Sequence, residues 1–460
     1  MKSFSIYTLG CKVNQYESQQ IRQFLEEFGF RQAVGAESAD LVLINSCCVT
    51  QTASAKSRQR INKARKQNPD AKIIICGCLP VANTNEFKNL GEKNVYLIKN
   101  RNNLTFTLTQ IMNGKNHNFQ YDRTGPQPYN IAIKTTVSSK IKDKSPNFPN
   151  LPYLTSFSGQ TRAFLKVQDG CDGFCSYCIV PHVRHIIYNK PADIVLKEAQ
   201  ALVNAGHKEI VITGIFLGAY GQKTVRRQNW PDNTNPKLAE LLDKIGKIRN
   251  LERIRLSSLE PADITEQLLD VLCSNSNFMP HLHLSLQSGS NNILKRMARQ
   301  YQVEEFEEKI SMIRSRMNRP AITCDLIVGF PGESDEDFQK TVEMAEKIGF
   351  AKMHIFSFSS REGTAAAKMK PTVEKRIIKE RSRILRELES KLGQKFRQQF
   401  IGQQENVLIE TINGKVGGRS SRYFYVQLND NPSNFSRNDI IKVQLLENTK
   451  TGMLGAVIKK

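Results

Sequence analysis

Residues 163–178 read Ala-Phe-Leu-Lys-Val-Gln-Asp-Gly-Cys-Asp-Gly-Phe-Cys-Ser-Tyr-Cys, and this stretch decides how the rest of the chain is organised. Ala163–Gln168 has strand character, and Asp169-Gly170 ends it. The loop that follows carries Cys171, Cys175 and Cys178 at x3 and x2 spacing among small residues. Three thiolates on one compact loop can each take one iron of a cubane and leave the fourth iron open to a small molecule. Zinc sites instead present paired C-x2-C knuckles with a fourth ligand, and no such mate is nearby. A chance triplet or a structural zinc is the competing reading, and the strand before the loop weighs against both.

Downstream, strand runs recur at Glu209–Thr213, Arg253–Ser257, His281–Leu286, Ile322–Val328 and Lys352–Phe358, with helical stretches between them. Six βα units suit an incomplete parallel barrel better than the eight-unit form, and such a barrel gathers its site at the carboxyl ends of its strands. By period two, His281, His283 and Ser285 share one face. Gly329–Glu333 reads as a βα turn whose glycines would also let backbone approach a cofactor. Gly221–Pro236 is a polar interruption holding the only tryptophan, Trp230.

Upstream, Phe4–Leu9, Leu41–Ile44, Lys72–Ile75 and Val95–Ile98 are apolar strand runs. Between them lie an amphipathic helix over Asn14–Gly29 (Ile21, Phe24, Leu25, Phe28) and a basic one over Gln51–Gln67. This alternation predicts a parallel sheet covered by helices. Cys11, Cys47 and Cys78 each follow a strand, and the carboxyl ends of an open parallel sheet share one edge. Three cysteines distant in sequence are thereby expected at one place. Cys48 and Cys76 read as small buried residues, and core packing is also the expectation for Cys273 and Cys324.

From Asn113 to Gln160 periodicity fails, which predicts a linker with one short strand at Ile131–Thr135. Val373–Phe400 is a basic helix with Ile377, Ile384, Leu385, Leu388, Leu392 and Phe396 on one face; for each of its cations a solvated face competes with RNA contact. Ile401–Lys460 contains short strands divided by Gly and Asn turns, the pattern of a small antiparallel β-barrel.

Lysine and arginine number 66 against 44 acids, a formal charge of +22, which favours a phosphate-bearing partner. No run is apolar enough to span a membrane, and MKSFSIYTLGCKV has no signal-peptide core, so a cytoplasmic protein with no membrane partner is expected. Ten cysteines in such a chain are free thiols or metal ligands.

The loop Cys171–Cys178, with Tyr177 before its last cysteine, resembles that of the radical S-adenosylmethionine enzymes. Thr8–Ser18, Asn45–Thr50 and Gly77-Cys78 resemble the three-cysteine N-terminal domain of the methylthiotransferases within them, as do His281–Ser290, Asp325–Glu333 and Phe356–Thr364 in the barrel. The resemblance implies two [4Fe-4S] clusters, one on Cys171, Cys175 and Cys178 and an auxiliary one on Cys11, Cys47 and Cys78. It implies S-adenosylmethionine lined by Tyr177, Thr213, Gly214, His283, Ser285 and Glu333, with no side chain identified as an acid or base. One S-adenosylmethionine would methylate sulfur held on the auxiliary cluster, and another would yield the radical that activates an adenine C2–H. The terminal barrel resembles the TRAM domain, in which Arg419, Arg422, Tyr423, Phe424 and Tyr425 would suit RNA, with barrel core the favoured role for any one of the aromatics. The implied division is 1–115 auxiliary-cluster domain, 116–160 linker, 161–396 radical core and 397–460 TRAM.

Gly-Cys-Lys-Val-Asn-Gln-Tyr-Glu-Ser at 10–18 resembles the bacterial branch that acts on N6-threonylcarbamoyladenosine-37 of tRNA. The isopentenyladenosine branch and the ribosomal-protein aspartate branch usually carry other residues there. An electron donor and a sulfur source are further implied partners. Val183-Arg184-His185, Tyr188-Asn189-Lys190 and Phe216 depart from the family pattern, which puts contacts near that rim in doubt. The non-enzymatic alternative is an RNA-binding iron–sulfur redox protein.

Overall fold

A six-residue strand buried along its whole length has neighbours on both faces and both edges, and Leu41–Ser46 (β3) is such a strand. The computed structural model describes residues 2–34, 38–82, 94–99, 104–112, 151–230, 235–412, 415–429 and 434–458. It divides into two compact units, Met1–Tyr153 and Leu154–Lys460. In the first, β1 (Ser3–Thr8), β2 (Arg31–Gln32), β3, β4 (Lys72–Gly77) and β5 (Val95–Leu97) form a parallel sheet in the order β2-β1-β3-β4-β5. Helix α1 (Lys12–Glu27) lays Ile21, Phe24 and Leu25 onto Phe4, Leu43 and Ile74, and α4 (Leu104–Met112) adds Leu104, Leu108 and Ile111 to the same core. Thr50 caps α2 (Gln51–Gln67) by accepting from the Ala53 N–H, the bond an N-cap hydroxyl is placed to make. The strand expected at Ile131–Thr135 lies outside the described residues. The end of the stretch read as linker carries buried side chains, Leu151 in the first unit and Leu154 and Phe157 in the second.

In the second unit β6 (Ala163–Asp169), β8 (Glu209–Gly214) and β9 (Arg253–Leu256) run parallel, with the two-residue β7 (Tyr188–Asn189) antiparallel at the edge. β10 (His281–Gln287), β11 (Ala321–Val328) and β12 (Lys352–Ser357) form a second parallel sheet. Parallel bridges at Ile254–Phe278 and Leu259–Leu284 join the two sheets, giving six parallel strands in sequence order. This is the incomplete barrel expected. Among the connecting helices are α5 (Val180–Val183), α6 (Ala192–Asn204), α7 (Pro236–Gly246), α8 (Glu266–Ser274), α9 (Asn291–Arg296), α10 (Val303–Arg316) and α11 (Asp335–Ile348).

The chain then returns along β12 in α12 (Lys375–Gln398), a 24-residue helix. Its start meets the carboxyl-end turn after β11, where Arg381 pairs with Glu333 at 2.5 Å. Further along, Lys352 at the start of β12 bonds Glu389 at 2.8 Å, and Arg319, just before β11, bonds the Gln399 carbonyl at 3.2 Å. Helix α12 therefore descends from the carboxyl end of the barrel to its amino end. There β13 (Gln404–Thr411), β14 (Val416–Ser420), β15 (Tyr425–Leu428), β17 (Met453–Val457) and β16 (Ile440–Asn448) close a small barrel in that order. Phe400, Val407, Ile409, Phe424, Val426 and Val443 lie in its core.

The small barrel covers the amino ends of the large one. Arg253 donates to the carbonyls of Asn406 and Arg419, and Arg255 to those of Ser420 and Ser421, at 2.6–3.0 Å. Tyr423, at φ +73°, stacks on His281 with centroids 4.7 Å apart and accepts from Arg162 at 2.6 Å. Arg422 donates to the carbonyls of Asn318 and Arg319 and pairs with Glu405. Arg422 and Tyr423 hold the two barrels together, which corrects their RNA reading; Arg419 pairs with Glu410 at 3.5 Å, and Phe424 lies in the core as favoured for the aromatics. Cys324 is buried as expected, whereas Cys273 at the end of α8 is exposed, because its position falls on the outer side of that helix.

Candidate active site

At the carboxyl end of the large barrel, the loop after β6 is fixed by backbone before any ligand is considered. The Cys171 N–H donates to the Arg184 carbonyl at 2.8 Å, Ser176 N–H to the Met297 carbonyl, and Ala366 N–H to the Ser176 carbonyl. Gly170 sits at φ +83°, and a Cβ there would lie 1.8 Å from the Ile186 carbonyl oxygen, so only glycine fits. Tyr177 packs edge-on against Phe330 with centroids 6.4 Å apart. Asp169 receives Lys166 at 2.9 Å and Arg184 at 2.8 Å; the arginine that departs from the family pattern in its neighbours is thus part of the wall under the loop.

The three thiols are partly buried. Burial pushes Cys171 up to about 12, aided by the proximity of Cys178 and Cys175, and burial likewise pushes Cys178 up to about 12. Such thiols stay protonated near neutrality unless a metal displaces the proton. Arg299 donates to Cys175 Sγ at 3.1 Å. Arg299 also pairs with Glu260, which lies 3.8 Å from Arg227, itself paired with Asp263. A chain of alternating charges therefore ends on one of the three sulfurs.

The polar interruption after β8 is part of this site. Thr224 Oγ1 and the Val225 N–H donate to the Asp172 carboxylate at 2.6 and 2.8 Å, and Arg226 Nε donates to the Asp172 carbonyl. Val225 and Trp230 are buried with Ala219 against Cys171 and Phe216. Composition hid this role: the stretch is polar, and its anchors are one valine and one tryptophan. Arg299, Glu260 and Arg227 were likewise missed, since they reach Cys175 and each other only across strand ends.

Of the residues implied for the cofactor, Thr213 is buried in register with Lys166. Gly214 ends β8 against Gln168, where a Cβ would sit 3.1 Å from the glutamine side chain, a tight fit. His283 bonds Thr323 Oγ1 at 2.9 Å and Asp325 at 3.2 Å. Ser285 lies opposite Asp325, and its carbonyl accepts from Tyr301. His281 and His283 share a face as expected, but His281 lies at the opposite end, under Tyr423. The Glu333 carboxylate is committed to Arg381 and to the Gly329 N–H at 2.7 Å.

In the first unit, Cys11, Cys47 and Cys78 follow the adjacent strands β1, β3 and β4. Thr8 pairs with Asn45 and Ser46 with Gly77, so the three ends lie level on one edge. Gly10, at φ +98°, leaves a space that a Cβ would fill, 2.7 Å from Cys47 Cβ and 2.8 Å from its Sγ. Asn14 donates to the carbonyls of Leu9 and Ser46, tying the first two loops together. Cys76 turns into the apolar core, and Cys48 is fully buried. Among the described residues no three Cys, His, Asp or Glu are placed to hold one metal ion. A cubane asks for something different, one thiolate per iron, and Gly10 and Gly170 keep space open beside the two triplets.

A sequence profile described as "Uncharacterized protein family UPF0004" matches residues 3–98, and one described as "Radical SAM superfamily" matches residues 165–345. The Chlamydia pneumoniae "Threonylcarbamoyladenosine tRNA methylthiotransferase MtaB" is 35% identical over 99% of this chain and 98% of its own length. The protein of that name from Thermotoga maritima is 36% identical over 92% of this chain and 90% of its own length. A Pelotomaculum thermopropionicum "tRNA-2-methylthio-N(6)-dimethylallyladenosine synthase" is 30% identical over 91% and 89%. Among solved structures, the radical S-adenosylmethionine methyltransferase TsrM from Kitasatospora setae is similar in fold, with TM-score 0.53 and 15% identity over 78% of this chain and 72% of its own. The fold and the cysteine loop define a radical S-adenosylmethionine enzyme. The chain belongs to the radical S-adenosylmethionine methylthiotransferase family and is of the MtaB type. That family membership implies a [4Fe-4S] cluster and S-adenosylmethionine, and no helix among the described residues is long and apolar enough to cross a membrane.

Proposed function

We propose that this protein is the tRNA methylthiotransferase that converts N6-threonylcarbamoyladenosine-37 to its 2-methylthio derivative. The observation that carries the reading is the end-to-end match to MtaB proteins, which takes in both cysteine triplets. Cys171, Cys175 and Cys178 would hold one [4Fe-4S] cluster and Cys11, Cys47 and Cys78 a second. When bound, the clusters and S-adenosylmethionine supply one-electron chemistry at an unactivated C–H and a carrier for sulfur.

The protein's own part is placement. Gly170 and Gly214 bring backbone to the rim, Tyr177 braces the loop on Phe330, and Asp172 with residues 224–226 shields one side of it. Arg299 places a buried positive charge on Cys175. Thr213, His283 and Ser285 would line the S-adenosylmethionine cavity, and Glu333 would act on it through Gly329. Residues 1–115 would carry the auxiliary cluster, 161–396 the radical core and 397–460 the RNA-holding barrel, joined by a linker at 116–160. An electron donor and a sulfur source complete the reaction.

Mass spectrometry of tRNA nucleosides from cells with and without this gene tests the reading. Loss of the methylthio form of threonylcarbamoyladenosine, with the isopentenyl form intact, is expected; loss of the isopentenyl form instead moves the protein to the other tRNA branch. Absence of 5′-deoxyadenosine after anaerobic reconstitution and reduction would leave only the redox-protein reading.

A further inference from the structure

The tRNA reading meets a difficulty of place. The cysteine loop lies at the carboxyl end of the large barrel, whereas the terminal barrel covers the amino end and spends Arg422 and Tyr423 on docking. An RNA held by that terminal barrel must cross the length of the large barrel to reach the site. Helix α12 covers this distance, about 36 Å at 1.5 Å per residue, beginning beside Glu333 and ending in the terminal barrel's core at Phe400.

A groove of about 1280 Å³ runs along α12, floored by Phe338, Ile377 and Ile384 and walled mainly by charge. Its acids are already matched: Asp335 receives Arg381 at 2.7 Å, and Glu380 and Glu387 both receive Arg383 at 2.6 Å. Arg376, Lys379, Arg386 and Lys391 are exposed at helical spacing along one side, and Lys450, from the turn between β16 and β17, joins them at the lower end. None of these five cations makes an ion pair with another described residue. A line of unpaired cations suits a phosphate backbone.

We propose that the α12 groove is the track on which the tRNA backbone lies between the terminal barrel and the cysteine loop. The proposal deepens the tRNA reading and rests on it. In the reconstituted full chain, Arg386→Gln with Lys391→Gln is the first test, and Lys244→Gln with Lys247→Gln at the end of α7 is the control pair. Binding of unmodified substrate tRNA is measured against salt concentration. The expected result is a salt slope shallower by about one per cation removed, with the control unchanged. All four positions are exposed, so thermal midpoints should match, and 5′-deoxyadenosine formation without RNA should be unaffected. An unchanged slope and affinity would overturn the track. Unchanged RNA binding with slower reduction by a protein electron donor, but not by dithionite, would overturn it in favour of an acidic protein partner. Failure of the wild-type chain to bind tRNA at all would instead sink the function reading beneath it.

Discussion

The two ends of the large barrel both bury arginine among carboxylates, yet they are built for different purposes. At the amino end Glu209 is fully buried, bonds Arg255 at 2.8 Å and lies 3.6 Å from Arg253. The terminal nitrogens of both arginines donate to carbonyls of the terminal barrel. These four bonds tie the two barrels together, which makes it a joint. At the carboxyl end Arg227, Glu260 and Arg299 form a similar chain, but it finishes on Cys175, one of three thiols with no complementary charge on the loop. That end is left for something the polypeptide does not supply. Buried charge by itself therefore does not distinguish structure from site; what distinguishes them is whether the network closes on itself.

The strongest way to break this comparison is to remove one member from each end. Cys175→Ala should lose about four irons per chain and all 5′-deoxyadenosine formation while leaving the fold intact by circular dichroism. Cys48→Ala and Cys76→Ala should keep their iron, and loss in either would mean that the wrong cysteine of the pair was chosen. Glu209→Ala should do the converse. It strands Arg253 and Arg255 without their carboxylate, a loss of about 3–5 kcal/mol, seen as a lower denaturant midpoint with the iron content of the folded fraction unchanged.

A smaller effect is expected where the carboxyl-end network meets the sulfur. Arg299→Met should retain the cluster but lower its reduction potential, because the reduced cluster carries more negative charge and loses a buried cation beside it. A potentiometric titration followed by electron paramagnetic resonance reads this directly, and an unshifted potential would show that Arg299 only fills space. The smallest effect belongs to Arg422→Ala. Losing two carbonyl bonds and the ion pair with Glu405 should cost about 2 kcal/mol and leave the salt dependence of tRNA binding as it was; a flattened slope would return Arg422 to the RNA surface.

Local pattern was enough for a large part of this molecule. The x3–x2 cysteine spacing, the apolar runs that became β3, β4, β6 and β8–β12, and the α12 face are properties of neighbouring residues, so one sequence displays them. Even the level carboxyl ends of β1, β3 and β4, after which Cys11, Cys47 and Cys78 lie, followed from strand order alone, since parallel strands joined by helices have their carboxyl ends on one edge. The contacts of Arg299 with Cys175, of residues 224–226 with Asp172, and of Tyr423 with His281 and Arg162 join positions that share no periodicity. Arginine, threonine and tyrosine on a surface-like stretch carry the same sequence signal whether they face solvent, RNA or another part of the chain. Which of these they face depends on which backbone carbonyls and carboxylates the fold brings within about 3 Å, and only the tertiary structure sets that. Residue type and spacing carry this chain's chemistry, whereas the fold sets which of its cations are already paired within it, as Arg422 is with Glu405.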